Sequence, residues 1–165
     1  MGLRLSGGAG LDGADRLVSR LPVQESRLDV IFASARDLAQ QVRARKVSAR
    51  EVMTACLAQI NRLNPTLNAI VARLDEDACL ALADRADHAL SNGGPIGPLH
   101  GLPTAFKDLE PAVGFPQSKG SPIFKSFMPE ADSVLVERIR RAGALPIGKT
   151  NVPEFGMGSQ TYNTV

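Results

Sequence analysis

An α/β architecture is the expectation for this chain, because segments with helical spacing of apolar residues alternate with short apolar strands and turn signals separate them. Two stretches carry that expectation best. One is the capped helix that starts at Ser48, followed by the β-branched run around Ile70 and Val71. The other is the helix–glycine–strand succession from Ser133 to Gly148. The 165 residues suffice for one domain with a real core, and no internal repeat is present.

Residues 1–28 are rich in Gly, Asp and Arg without periodicity and are expected to be a disordered leader. Ile31–Arg45 is expected to form a first helix with Ile31, Leu38 and Val42 on one side. In the second helix Ser48 and Glu51 make a capping box, Val52, Cys56, Ile60 and Leu63 repeat at helical spacing, and Pro65 is expected to stop the run. Leu67–Leu74 reads as a strand. Asp75–Leu90 returns to helix with Leu80, Ala83 and Leu90 on one side. A Gly/Pro-rich turn region leads to a second strand, Leu102–Leu109, and then to a long irregular segment of the kind that is usually functional or ordered by neighbours. Asp132 or Ser133 caps a last helix with Leu135, Ile139 and Ala142 on one face. Arginines fill its final turns, Gly143 ends it, and Ala144–Gly148 forms a third strand.

Composition removes several function classes. A net charge of +2, scattered basic residues, six Phe and one Tyr argue against nucleic-acid binding. No apolar run reaches the length of a membrane span, and the N-terminus lacks the apolar core of a secretory signal. Gly2 and Ser6 fit the short myristoylation pattern, for which a Gly-rich leader is the simpler account. Cys56 and Cys79 are too few and too far apart for a disulfide framework or a metal site, so they read as unreactive thiols of a cytoplasmic protein.

"GALPIGKT", Gly143–Thr150, satisfies the phosphate-loop pattern letter for letter. Such a loop must follow a strand and open a helix, so that backbone amides and the helix N-terminus cradle the anion. Here the first glycine ends a helix, the intervening residues are the strand, and Pro146 removes an amide. The match is coincidental.

"GPLHGLPTAFKDL", Gly97–Leu109, is more informative. Lys107 ends an apolar strand, where burial disfavours the ammonium form, and a neutral lysine can take a proton from a hydroxyl as in Ser/Lys hydrolases. A solvated surface charge is the plainer reading of a lone lysine. Asp108 either shapes the turn or pairs with Lys107, and His100 reads as structural.

Taken with "KGSPIF" (119–124) and "DSVLVERIRRAGALPIGKTNVPEFGMGSQTYN" (132–163), this stretch resembles the amidase signature hydrolases, and the similarity covers roughly residues 31–165. The resemblance implies that residues 29–165 are the N-terminal part of a single amidase signature domain, a mixed sheet core covered by helices that is incomplete in this chain. It implies hydrolysis of carboxamide C–N bonds by a nucleophilic serine, a bridging serine and a lysine, with no metal and no cofactor, and it places the lysine at Lys107. Gly156, Met157, Gly158 and Ser159 are similar to the stretch that lines the family's substrate pocket. Asn151 and Glu154 are expected to fix the loop after the third strand.

Both serines of the family lie in a Gly/Ser-rich motif that has no counterpart before Val165, and Ser118, Ser121 and Ser159 sit in no matching context. These residues alone are therefore expected to be inactive, with apolar sheet edges that favour aggregation. The expected partner is a small-molecule amide, without nucleic acid or membrane, and a homodimer of the full-length protein is the default. Two alternatives stand beside this reading: a non-catalytic remnant or interaction module, and the amidase subunit of a glutamine-dependent transamidation complex.

Overall fold

In the computed structural model, residues 30–165 are described, so the expected leader and the Gly2/Ser6 pattern lie outside the described residues. The expected first helix is interrupted. Residues 30–32 are helical, and a new helix, α1 (Ala35–Arg43), starts because the Ser34 side chain accepts from the Asp37 amide and terminates the preceding turn. Val42 is its buried residue.

Helix α2 (Ala49–Leu67) starts on the predicted capping box: Ser48 Oγ accepts from the Glu51 amide, and the Glu51 carboxylate accepts from the Ser48 amide. Those hydrogen bonds from Ser48 hold the Glu51 carboxyl below its ordinary range. Ser48→Ala should cost about 1 kcal/mol of stability, read from the urea midpoint. Pro65 does not stop the helix as expected. It lies in the last turn, where its missing amide costs a single bond, and Asn68 ends the helix in the left-handed conformation with its amide on the Asn64 carbonyl.

Strand β1 is shorter than expected, Ile70–Arg73. The Asn64 side chain fixes its first residue by donating to the Ile70 carbonyl and accepting from the Ile70 amide. Helix α3 (Glu76–Ser91) is capped by Asp75 and buries Cys79, Ala83 and Ala86. Leu80 lies only partly buried at the edge of that face. Strand β2 covers Pro103–Lys107, so Asp108 and Leu109 already belong to the following turn. Helix α4 (Val134–Arg141) takes Ser133 as its cap and buries Val136, while Leu135 is half exposed. Strand β3 runs Leu145–Thr150, two residues beyond the expected end.

The sheet order is β1-β3-β2, with β3 antiparallel to β1 and parallel to β2. One face is covered by α2 and α3 through Met53, Leu57, Cys79, Ala83, Leu145 and Ile147. A second cluster contains Phe106, Ala112, Phe115 and Val136. Burial of a Leu, Met or Phe in these clusters stabilises by about 1.5–3 kcal/mol each.

The register contains one slip that matters. Thr104 pairs with Pro146 but Ala105 pairs with Gly148, so β3 carries an extra residue at Ile147. Strict alternation would set Lys149 beside Leu145 and Ile147 under the helices. After the bulge Lys149 is paired with Phe106 and faces the other cluster.

Gly148 is required by the bulge: a Cβ there would collide with the Ala72 carbonyl oxygen of β1. The obstacle is backbone of the paired strand and cannot rotate away. Gly148→Ala should therefore lower stability by at least about 2 kcal/mol, checked by chemical denaturation. At Gly143, φ is +91° and a Cβ would meet the His100 Cα at 2.8 Å. Both glycines of the phosphate-loop pattern thus serve the backbone of this fold.

Candidate active site

Lys107 is the last residue of β2 and pairs with Thr150. The preceding Phe106 is buried in the apolar cluster, and alternation along the strand turns Lys107 to the opposite side, where it is exposed. It makes no ion pair among the described residues. The expected desolvation of a strand-end lysine is found elsewhere, at Lys149.

The backbone that carries Lys107 is held closely. Its carbonyl accepts from the Glu110 amide at 2.9 Å, and the next amide, that of Asp108, donates to the Thr150 carbonyl at 3.1 Å. Asp108 is 3% exposed. Its Oδ2 accepts from the Ser118 amide at 3.0 Å and from Ser118 Oγ at 2.5 Å. Its Oδ1 lies 3.4 Å from Lys149 Nζ. Of the two roles open to Asp108, the turn is the one observed, and its lysine partner is Lys149 rather than Lys107.

Lys149 has no exposed surface, and its ammonium group donates to the Glu110 carbonyl at 2.6 Å. Burial pushes its pKa below the ordinary lysine value, and the Asp108 carboxylate opposes that shift. A lysine committed in this way is unavailable to a phosphate, and among the described residues no α-helix opens after β3. The expected third strand ends at Gly148, one residue short of this lysine, so the pair is not anticipated from the sequence.

The long segment after β2 is ordered by polar contacts. Asp132 accepts from the Val113 amide and pairs with Arg140 at 2.9 Å, while Arg140 also donates to the Val113 carbonyl. Ser133 Oγ donates to Glu110, and the Gln117 side chain donates to the Leu109 carbonyl. A cleft of about 210 Å³ opens beside Asp108 and Ser118, lined also by Val71, Ala72 and Lys125. Ser118 and Ser121 are both buried, and Ser159 is exposed.

Gly156–Ser159 follow a short 3₁₀ turn, Glu154–Gly156, in which Phe155 is left-handed at φ 54°. The Phe155 amide donates to the Lys119 carbonyl, so the segment is docked on the turn that contains Ser118 and Gly120. Gly156 is half-buried against Leu109, and Met157, Gly158 and Ser159 are exposed. Asn151 Oδ1 accepts from the Val152 amide and the Asn163 side chain, which fits its expected role in fixing the loop. His100 Nε2 donates to the Ala86 carbonyl, a structural contact. Burial raises the thiol pKa of both Cys56 and Cys79 and lowers their reactivity. No helix among the described residues is long and apolar enough to cross a membrane.

A family model described as Amidase matches residues 51–165. The chain belongs to the amidase family. It is 40% identical over 136 residues, 82% of its length, to a glutamyl-tRNA(Gln) amidotransferase subunit from Acidothermus cellulolyticus. To the protein of the same name from Chloroflexus aurantiacus it is 42% identical over 118 residues, 72% of its length. The chain spans about a quarter of these amidase relatives, 27% and 24% respectively. Among solved amidases, native peptide amidase from Stenotrophomonas maltophilia superposes with a TM-score of 0.69 at 32% identity, over 75% of this chain and 26% of that one. A fatty acid amide hydrolase shares the fold with a TM-score of 0.74 at 22% identity, over 84% of this chain and 24% of that one. The small mixed sheet under helices is thus the amidase fold that the sequence resemblance implied.

Proposed function

We propose that residues 29–165 form the N-terminal, lysine-bearing part of a single amidase domain that hydrolyses the C–N bond of carboxamides. The observation that carries the reading is Lys107: an exposed lysine at the end of a strand, unpaired among the described residues, on a tightly bonded turn, in a chain of the amidase family. In this reading Lys107 acts as the base that takes a proton from a bridging serine, which in turn takes one from the nucleophilic serine. The nucleophile attacks the amide carbonyl, ammonia or an amine leaves, and water hydrolyses the acyl-enzyme. In this reading both serines belong to the family's Gly/Ser-rich motif, which has no counterpart among residues 1–165. Gly156, Met157, Gly158 and Ser159 line the substrate pocket in this reading. The scheme uses no metal or cofactor, and a cytoplasmic setting suits the two free thiols.

A second reading has its own observation. Several relatives, at up to 42% identity, carry the name of a glutamyl-tRNA(Gln) amidotransferase subunit, which favours the amidase subunit of a glutamine-dependent transamidation complex. The longest natural gene product containing residues 1–165 separates the two. Ammonia release from simple aliphatic or aromatic carboxamides by the purified single chain is the expected result. Co-purifying subunits, with ammonia released from glutamine alone, would support the complex. Inertness toward every amide, glutamine included, sinks both.

A further inference from the structure

We propose that Lys149 and Asp108 are positioning residues for Lys107: together they lock the turn on which the Lys107 backbone rides. The inference rests on the reading of Lys107 as the base. A long, flexible lysine side chain on an exposed strand end acts reproducibly only when its own Cα is fixed, since misplacement by about 1 Å can cost on the order of 100-fold in rate.

The contacts converge on residues 107–110 from one side. The Lys149 ammonium is bonded to the Glu110 carbonyl at 2.6 Å and lies 3.4 Å from Asp108 Oδ1. The other oxygen of Asp108 is occupied by the amide and hydroxyl of Ser118, and that hydroxyl also accepts from the Gly120 amide at 3.1 Å. The Glu110 amide returns to the Lys107 carbonyl. One ammonium group therefore ties down the side chain of the residue after Lys107 and the carbonyl three residues after it. The lysine reaches this place only because the bulge in β3 turns it to the Phe106 side. Simple filling of the core would be served by an apolar side chain of equal length, at no cost in desolvation. The bonded carboxylate and carbonyl mark a holding function.

The experiment compares amide hydrogen exchange of the longest natural gene product containing residues 1–165 with that of its double variant Asp108→Asn/Lys149→Met, which leaves no unpaired buried charge, and of the milder Ser118→Ala. The amides of Asp108, Glu110 and Ser118 should exchange at least tenfold faster in the double variant. Those of Asp108 and Glu110 should exchange at least threefold faster in Ser118→Ala, with the α2 amides Val52–Leu57 unchanged in both. Unchanged exchange at the turn, or equal acceleration throughout the chain, overturns the proposal. If the double variant does not fold, Ser118→Ala decides alone. In the longest natural gene product the double variant should lower kcat at least tenfold and leave KM within twofold, since the base acts in the chemical step. An unchanged kcat with a loosened turn overturns the positioning role. Lys107→Ala serves as the separate control: if it retains activity, the reading of Lys107 itself fails, while the exchange data still decide whether the turn is locked.

Discussion

Lys107→Ala in the longest natural gene product should lower kcat by about 10² to 10⁴, the range a positioned proton-transfer group contributes, and should leave the unfolding of this chain almost unchanged. The two halves of that expectation come from one placement. Lys107 is exposed and unpaired at a strand end, so truncation removes no core packing and no ion pair among the described residues. Surface substitutions of this kind stay within about 0.5 kcal/mol. Lys107→Arg should not restore turnover, because a guanidinium does not give up its proton near neutral pH. Steady-state kinetics beside a urea titration reads both quantities. A marked drop in stability with little loss of rate would make Lys107 a structural residue and remove the base from the scheme.

Lys149→Met, unlike Lys107→Ala, should destabilise the fold by about 3–5 kcal/mol, because the Asp108 carboxylate is left buried without its cation. Asp108→Asn/Lys149→Met should recover a large part of that loss, since no unpaired charge remains. A double-mutant cycle in urea measures the coupling between the two positions. The same pair has a signature in pH. The folded chain holds the Lys149 proton less tightly than the unfolded chain, where a lysine titrates near about 10.4. Between the lowered folded value and the unfolded one, the unfolded chain binds more protons, so this group's contribution to stability rises with pH across that window. Below the folded value its contribution does not change with pH. Subtracting the Lys149→Met profile isolates the effect from the cysteines, whose raised values act in the opposite direction. A falling difference curve would show that the ion pair outweighs burial.

What could be read from the sequence divides along physical lines. Caps were legible because they depend on residues three apart: Ser48 with Glu51 sits where the pattern put it, and Ser133 was one of two candidates. Segment types were legible from spacing, and the position of Lys107 at a strand end follows from the run that precedes it. Burial was read less well, since the face that a helix turns inward depends on its neighbours. Leu135 was expected inside, and Val136 is the residue that α4 buries. Pro65 misled because its cost depends on its distance from the helix end. Lys149 was hidden by the single extra residue in β3, which no local pattern announces. Its place within a phosphate-loop match drew attention to the wrong property of the same letters.

The strand order also dictates when the sheet can exist during synthesis. Helices α2 and α3 pack against each other and can do so soon after both have left the ribosome. Strands β1 and β2 are never neighbours; each pairs only with β3, which is made last of the three. Until Leu145–Thr150 emerges, the apolar backs of α2 and α3 lack Leu145 and Ile147, and Asp108 has no cation to face. The nascent chain therefore carries two unpaired strands while residues 108–144 are translated, which is the interval in which a holding chaperone would matter most.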